Sequence, residues 1–405
     1  MVASIEKIIT VLAFIHFLSN WLVLILSGGV SEGAGADYAS MNLSLNALLL
    51  NLAYLWIMLL LVLRWRKTLF YVLKGWVILP IIAVVLASYF WSYIPDQTLR
   101  GIFHLLGTTL FGLYLGSNYS IKEQTKFLGN IYLIILALSL FYIVFLPRYG
   151  IESGVHAGAW RGVFVHKNGF GRIVALGIPL LFMSGIKQPL LYGALGLSTL
   201  AVVMSRSAGS IIIALTLLIG LYAYRVFRLN YVLMFLSLSF LTILGLALSV
   251  LFMQDSGLAL GILSFLGKDP TLTGRTDLWL LVWQMIQSRL WLGYGFQGFW
   301  DGLNGPSAYV IQAIGWEAPH SHNGWLDLWL YLGLLGILTF SVCLGVNLFR
   351  SIQWARITSG IDGLWPLVFL TFMLISSTSE SGLLDGFVWT FFVAISFSMF
   401  KPKIA

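Results

Sequence analysis

A few polar clusters interrupt an otherwise apolar chain, and they hold the residue types that can do chemistry. Pro319-His320-Ser321-His322-Asn323 pairs two imidazoles at the edge of a long apolar run. A neutral imidazole accepts a proton near neutral pH, so either histidine suits the activation of a weak nucleophile such as a hydroxyl. Asn323 can hold the ring or the molecule it acts on. His320 and His322 are equally metal-ligand types. No His-Glu-x-x-His stands in the chain and no third ligand follows at useful spacing, so no metal and no cofactor are expected. Arg275, in Thr273-Gly274-Arg275-Thr276-Asp277, opens a stretch in which Leu278, Leu281, Val282, Met285 and Ile286 fall at i, i+3, i+4, i+7 and i+8. That spacing predicts an amphipathic helix. An arginine in a first turn opposes the helix dipole. An anion bound there would remove the conflict, and so would a salt bridge to Asp277.

Three further clusters complete the set. Arg206 sits among small residues in Ser205-Arg206-Ser207-Ala208-Gly209, between two apolar runs. An arginine near bilayer depth is costly and marks a functional site, unless its head snorkels to the interface. Arg161, His166, Lys167 and Asn168 lie in Arg161-Gly162-Val163-Phe164-Val165-His166-Lys167-Asn168, a candidate phosphate-binding stretch or a loop anchored by Trp160. Glu380, between Ser379 and Ser381 and followed by Asp385, can orient a base or form an ion pair.

The elements that must position these residues are set by composition. The chain has 405 residues, 59% hydrophobic and 9% charged, with a mean hydropathy of +0.92. A soluble domain carries roughly 25% charged residues, so this surface must face lipid. The 16 tryptophans suit rings at the two membrane interfaces. The lone Cys343 excludes an intrachain disulfide and a cysteine-built zinc cluster. Crossing about 30 Å of hydrocarbon takes about 20 residues, and about twelve apolar runs approach that length. They are 8–26, 45–63, 69–91, 99–117, 126–146, 168–185, 189–204, 208–224, 230–253, 323–349, 361–378 and 384–400. The expected fold is an all-α polytopic bundle, one integral membrane domain over 1–405, with a long outside loop at 254–321 carrying the amphipathic helix. The first run is too long for a signal-peptide core and is expected to stay as a span.

Basic residues set the orientation. With both termini cytoplasmic, the inside segments hold Lys7, Arg64, Arg66, Lys67, Lys74, Lys122, Lys126, Lys187, Arg225, Arg228, Arg350, Arg356, Lys401 and Lys403. The outside loop 27–44 has none. Apart from Arg100, the remaining cations gather in 148–172, at Arg206 and in 268–289, which puts any chemistry on the exoplasmic side. The +8 charge is thereby explained by the membrane rather than by nucleic acid. Mid-membrane charges on several broken spans, the mark of a transporter or flippase, are not the pattern here, although a non-enzymatic transporter is the reading to test against.

These clusters together resemble the O-antigen ligase and O-antigen polymerase superfamily. The resemblance rests on Arg161–Asn168, Ser205-Arg206-Ser207, Gly274-Arg275-Thr276, Trp291-Leu292-Gly293-Tyr294-Gly295, and His322-Asn323 with Gly333 and Gly336. It covers about 150–390 and is nearest to the exopolysaccharide-polymerase branch. It implies a metal-independent glycosyltransferase of the bacterial inner membrane with its active site facing the periplasm. The donor it implies is a glycan on undecaprenyl diphosphate. The acceptor is another glycan or, for a ligase, lipid A core. By position in the motifs, Arg206 and Arg275 would hold the diphosphate and His322 would be catalytic. Arg161, His166, Lys167, Asn168, His320, Asn323 and Glu380 remain candidates for substrate contacts.

Overall fold

The computed structural model describes residues 2–19, 21–31, 43–251 and 274–399. Part of the expected long loop, 254–273, lies outside them. The described residues form helices α1 (Val2–Leu18), α2 (Trp21–Leu26), α3 (Ser44–Leu63), α4 (Trp65–Lys74), α5 (Leu79–Ala87), α6 (Pro95–Asn118), α7 (Ile121–Phe145), α8 (Lys167–Met183), α9 (Gln188–Met204), α10 (Ala208–Val226), α11 (Tyr231–Leu251), α12 (Gly274–Ser288), α13 (Ala308–Ile314), α14 (Gly324–Ile357), α15 (Trp365–Ser376) and α16 (Gly386–Ser398). Every expected apolar run carries helix, and the protein is a multi-pass helical membrane protein. Among the described residues, four helices, α3, α7, α10 and α14, are long and apolar enough to cross a membrane, or five if a bent pair is one span.

That is fewer than about twelve straight spans, and local chemistry explains the difference. The run 69–91 is bent by 67° between α4 and the segment Trp76–Trp91. Gly75 stands at the break, pressed against Phe397 of α16 so closely that a Cβ would overlap the ring. The run 8–26 is divided between α1 and α2. Helices α8, α9, α15 and α16 have 12 to 17 residues each.

Two compact units emerge. One comprises Met1–Trp65, Asn118–Ser237 and Ala355–Phe372. At its centre α8 packs on α7, α9 and α10. Gly171 fits against Ser210 of α10 and Gly177 against the Tyr132 ring of α7. Small residues at such crossings let helices approach in a medium that gives no hydrophobic drive for association. The Tyr132 hydroxyl shares a 2.6 Å hydrogen bond with Ser198 of α9. A large apolar face of α3, including Leu48, Leu52 and Leu55, is exposed, as a lipid-facing surface requires.

The other unit comprises Arg66–Ser117, Leu238–Trp354 and Met373–Ala405. Gly112 and Gly116 of α6, four apart, face α16. Cβ atoms there would lie 2.5 Å from the Thr390 carbonyl and 2.7 Å from that of Ala394. The amphipathic pattern of α12 is realised. Leu278, Val282 and Ile286 are buried with Tyr294, Phe299, Trp300, Val310 and Leu330, and Leu281 and Met285 pack at the edge. Each such side chain withdrawn from water contributes about 2 kcal/mol. Helix α14 is broken at Gly333, whose φ of 63° and ψ of −163° leave the helical region. The strap Leu290–Gly295 lies along the break. The Tyr294 and Gly295 N–H groups donate to Leu330 and Tyr331, and those of Leu334 and Leu335 donate to Leu290 and Trp291.

Candidate active site

In the second unit, one face of α12 reaches two separate turns. Arg275 donates from Nη1 to the Ser379 carbonyl at 3.2 Å. Trp279, one turn further along the same face, donates from Nε1 to the Ser321 carbonyl at 2.8 Å. The first contact is to the turn carrying Glu380, the second to the turn carrying the histidines. His320, His322 and Glu380 meet there. One nitrogen or oxygen from each lies within 4.8 Å of the others, and all three residues are half-buried. Linear spacing showed no third ligand-type residue beside the histidines; the fold supplies Glu380 from the far end of the chain. As donor types, two imidazoles and a carboxylate are a set able to hold a divalent metal.

The histidine turn is fixed by its own hydrogen bonds. The His322 N–H donates to Nδ1 of His320 at 3.1 Å. The ring centroids are 4.2 Å apart, 70° between planes. His322 has a φ of 54°, a left-handed conformation that a non-glycine residue holds only when its surroundings impose it. Asn323 caps α14, its Oδ1 accepting from the N–H groups of Trp325 and Leu326 at 3.0 and 3.3 Å. That oxygen serves the helix start.

Asp327 clasps the whole arrangement and was missed in the sequence. It is 2% exposed. Its Oδ1 accepts from Trp300 Nε1 at 3.0 Å and from the Ser321 N–H at 3.1 Å. Its Oδ2 takes a short hydrogen bond from the Ser381 hydroxyl. One carboxylate thus ties the histidine turn to the Glu380 turn and to the loop after α12. A carboxylate inside the apolar stretch Trp325–Leu335 was the available signal.

The first unit holds the other candidates. Arg161 is 0% exposed. Its guanidinium donates to the carbonyls of Gly29, Val30, Arg148 and Tyr149 and to the Ser31 hydroxyl at 2.6 to 3.2 Å. It is a structural staple, and the expectation of a substrate contact is corrected: the buried donors are held by main-chain carbonyls and the Ser31 hydroxyl. His166 and Glu152 together cap α8. His166 Nδ1 accepts from the Asn168 N–H at 3.2 Å, and Glu152 Oε1 accepts from the Lys167 N–H at 2.5 Å. Glu152 is 3% exposed and lies 3.9 Å from His166 Nε2. Lys167 is itself buried. Arg206 occupies the turn between α9 and α10, with a φ of 49°. It is exposed there, donating from Nη1 to the Ala157 carbonyl at 3.1 Å. The arginine read as lying near bilayer depth is therefore at the ends of two helices.

An all-helical membrane fold with a histidine turn, a glycine-broken following helix and an arginine-headed amphipathic helix defines a class. Residues 193–341 match the family described as O-antigen ligase. That match includes Arg206, Arg275, the histidine turn, Asp327 and Gly333, and leaves out Arg161–Asn168 and Glu380. The chain is also similar to the exopolysaccharide production protein ExoQ of Rhizobium meliloti (strain 1021), 27% identical over 281 residues. That alignment covers 65% of this chain and 62% of ExoQ, so the chain matches about three fifths of its relative's length.

Proposed function

We propose that this protein is a membrane glycosyltransferase that moves a glycan from a polyprenyl diphosphate, of the undecaprenyl type, to an acceptor hydroxyl, acting as a polysaccharide polymerase. The observation that carries the reading is the meeting of His320, His322 and Glu380 on turns held by Arg275 and Trp279 of a single helix. His322 takes the proton of the acceptor hydroxyl as its oxygen attacks the anomeric carbon, a contribution of about 10²–10⁴-fold. Glu380 stabilises the imidazolium that forms, as a carboxylate beside a catalytic histidine does. Arg275 meets the charge developing on the departing diphosphate, where a preorganised cation lowers the barrier. Arg206 is assigned to phosphate binding on its own surroundings, an exposed guanidinium in a turn of small residues. The similarity to an exopolysaccharide production protein favours a polymerase. The family description favours a second reading, transfer to lipid A core.

The test is transfer by purified protein in proteoliposomes supplied with lipid-linked oligosaccharide, with and without lipid A core. A ladder of lengthening glycan without core supports the polymerase, and a single product that needs core supports the ligase. Movement of the lipid-linked glycan across the bilayer with no new glycosidic bond would establish a transporter instead. His322→Ala is expected to lower transfer at least about 100-fold while the donor lipid still binds. Retained activity would remove the histidine from the chemistry.

A further inference from the structure

The two histidines differ in a way that assigns them opposite work. A neutral imidazole has one protonated nitrogen and one lone pair. The His322 N–H donates to Nδ1 of His320 at 3.1 Å, so Nδ1 holds the lone pair and the ring proton resides on Nε2. His320 therefore presents a donor. It cannot take a proton without losing the bond that shapes the turn. It cannot ligate a metal through Nε2 either, because that needs the tautomer with a proton on Nδ1, facing another N–H. The turn resists rearrangement: the Ser321 N–H is held by Asp327 and the Asn323 N–H by the Ser321 hydroxyl.

We propose that His320 donates a hydrogen bond from Nε2 to the departing diphosphate oxygen while His322 accepts the proton of the attacking hydroxyl; this rests on the transfer reading above. The step balances. The acceptor oxygen forms its bond to the anomeric carbon, and the bond from that carbon to the diphosphate oxygen breaks. The electron pair leaves on the diphosphate, and the hydroxyl proton passes to His322 and later to water. His320 transfers no proton; with Arg275 it stabilises the new charge. An anion stabilised by donors explains why a ring fixed as a donor meets Glu380 while an arginine holds the adjacent Ser379 carbonyl, in a group of residue types that otherwise resembles a metal site.

Glutamine places an N–H close to the position of a histidine Nε2, so His320→Gln keeps the donor and His320→Ala removes it. Loss of one preorganised donor costs about 10²–10³ in kcat. His320→Ala should show that loss with the acceptor KM unchanged, and His320→Gln should recover most of it. His322→Gln should recover nothing, since an amide is not a base. In lipid, ¹⁵N-histidine spectra read the tautomer without activity. The signal lost in His320→Gln should show a protonated Nε2 and a bare Nδ1. A protonated Nδ1, a His320→Gln variant as inactive as His320→Ala, or a zinc requirement abolished by His320→Ala would each overturn the assignment. If His322→Ala retains full transfer, the base in the transfer reading fails, while the nitrogen shifts still decide the state of His320. A wild-type protein that forms no glycosidic bond with either acceptor ends both proposals.

Discussion

Cationic residues of one type do different things here. Arg161 is surrounded by main-chain carbonyls, whereas Arg206 and Arg275 each donate to one carbonyl and keep more of the guanidinium clear of it. Arg161→Met should strip the donors from the buried Gly29 carbonyl, which costs about 1–3 kcal/mol when unsatisfied, and from the part-buried carbonyls of Val30, Arg148 and Tyr149. A large fall in the melting temperature of the detergent-solubilised protein is expected, with Arg206→Ala close to wild type. Equal melting temperatures for wild type and Arg161→Met would contradict the staple. Lysine at 275 should restore only part of the activity lost in Arg275→Ala, because a point charge cannot reproduce the planar fork. Asp327 acts through the histidines. Asp327→Asn turns an amide N–H₂ toward one of the three donors that the carboxylate now accepts. We expect kcat to fall with little change in donor binding, since the phosphate contacts are left in place. A change confined to KM would point to a different role.

At the scale of elements, the glycines of the motifs that carry the resemblance have a common cause. Gly293 of the strap and Gly333 of α14 face each other at backbone distance. A Cβ on Gly293 would lie 2.5 Å from the Leu330 carbonyl, and one on Gly333 would overlap the carbonyl of Trp291. Both have positive φ. Breaking α14 frees its backbone groups, and the strap pairs with them, which keeps buried N–H and C=O groups satisfied. Gly333→Ala should therefore lower folded yield more than Gly345→Ala on the same helix, where a Cβ meets nothing within 4 Å. Size-exclusion profiles of the two variants decide it, and similar profiles would show that the strap tolerates displacement. Gly116→Val tests the α6–α16 crossing in the same way, since the added methyls would meet the Ala394 carbonyl.

For the whole molecule, the distribution of basic residues leads to an expected sidedness. Arg228, in the turn after α10, donates to the carbonyls of Ser359 and Gly360 at 2.6 and 2.5 Å. Both segments lie on the side expected to be cytoplasmic. We expect reporter fusions to place both termini and the 227–230 turn inside, and the histidine turn outside. A fusion near residue 320 that reports cytoplasm would remove the periplasmic site.

The sequence by itself determined the membrane class, the helical runs, the amphipathic face of α12 and the motifs that carry the resemblance. Each depends on composition or on a short period along the chain, and a low charge content or a 3.6-residue repeat survives whatever the chain does elsewhere. Only the tertiary structure decided how the polar residues are used. Arg161 and Arg275 look alike in sequence and differ by their acceptors. The Asn323 Oδ1 serves a helix start. Glu380 joins the histidines although distant in the chain, and Asp327 clasps three segments that no spacing connects. The tautomer proposed for His320 depends on a backbone N–H two residues away, a contact made by the fold of the turn. Hydrogen bonds are directional and short-ranged, so the partner a polar group finds is fixed by the fold and not by its neighbours in sequence.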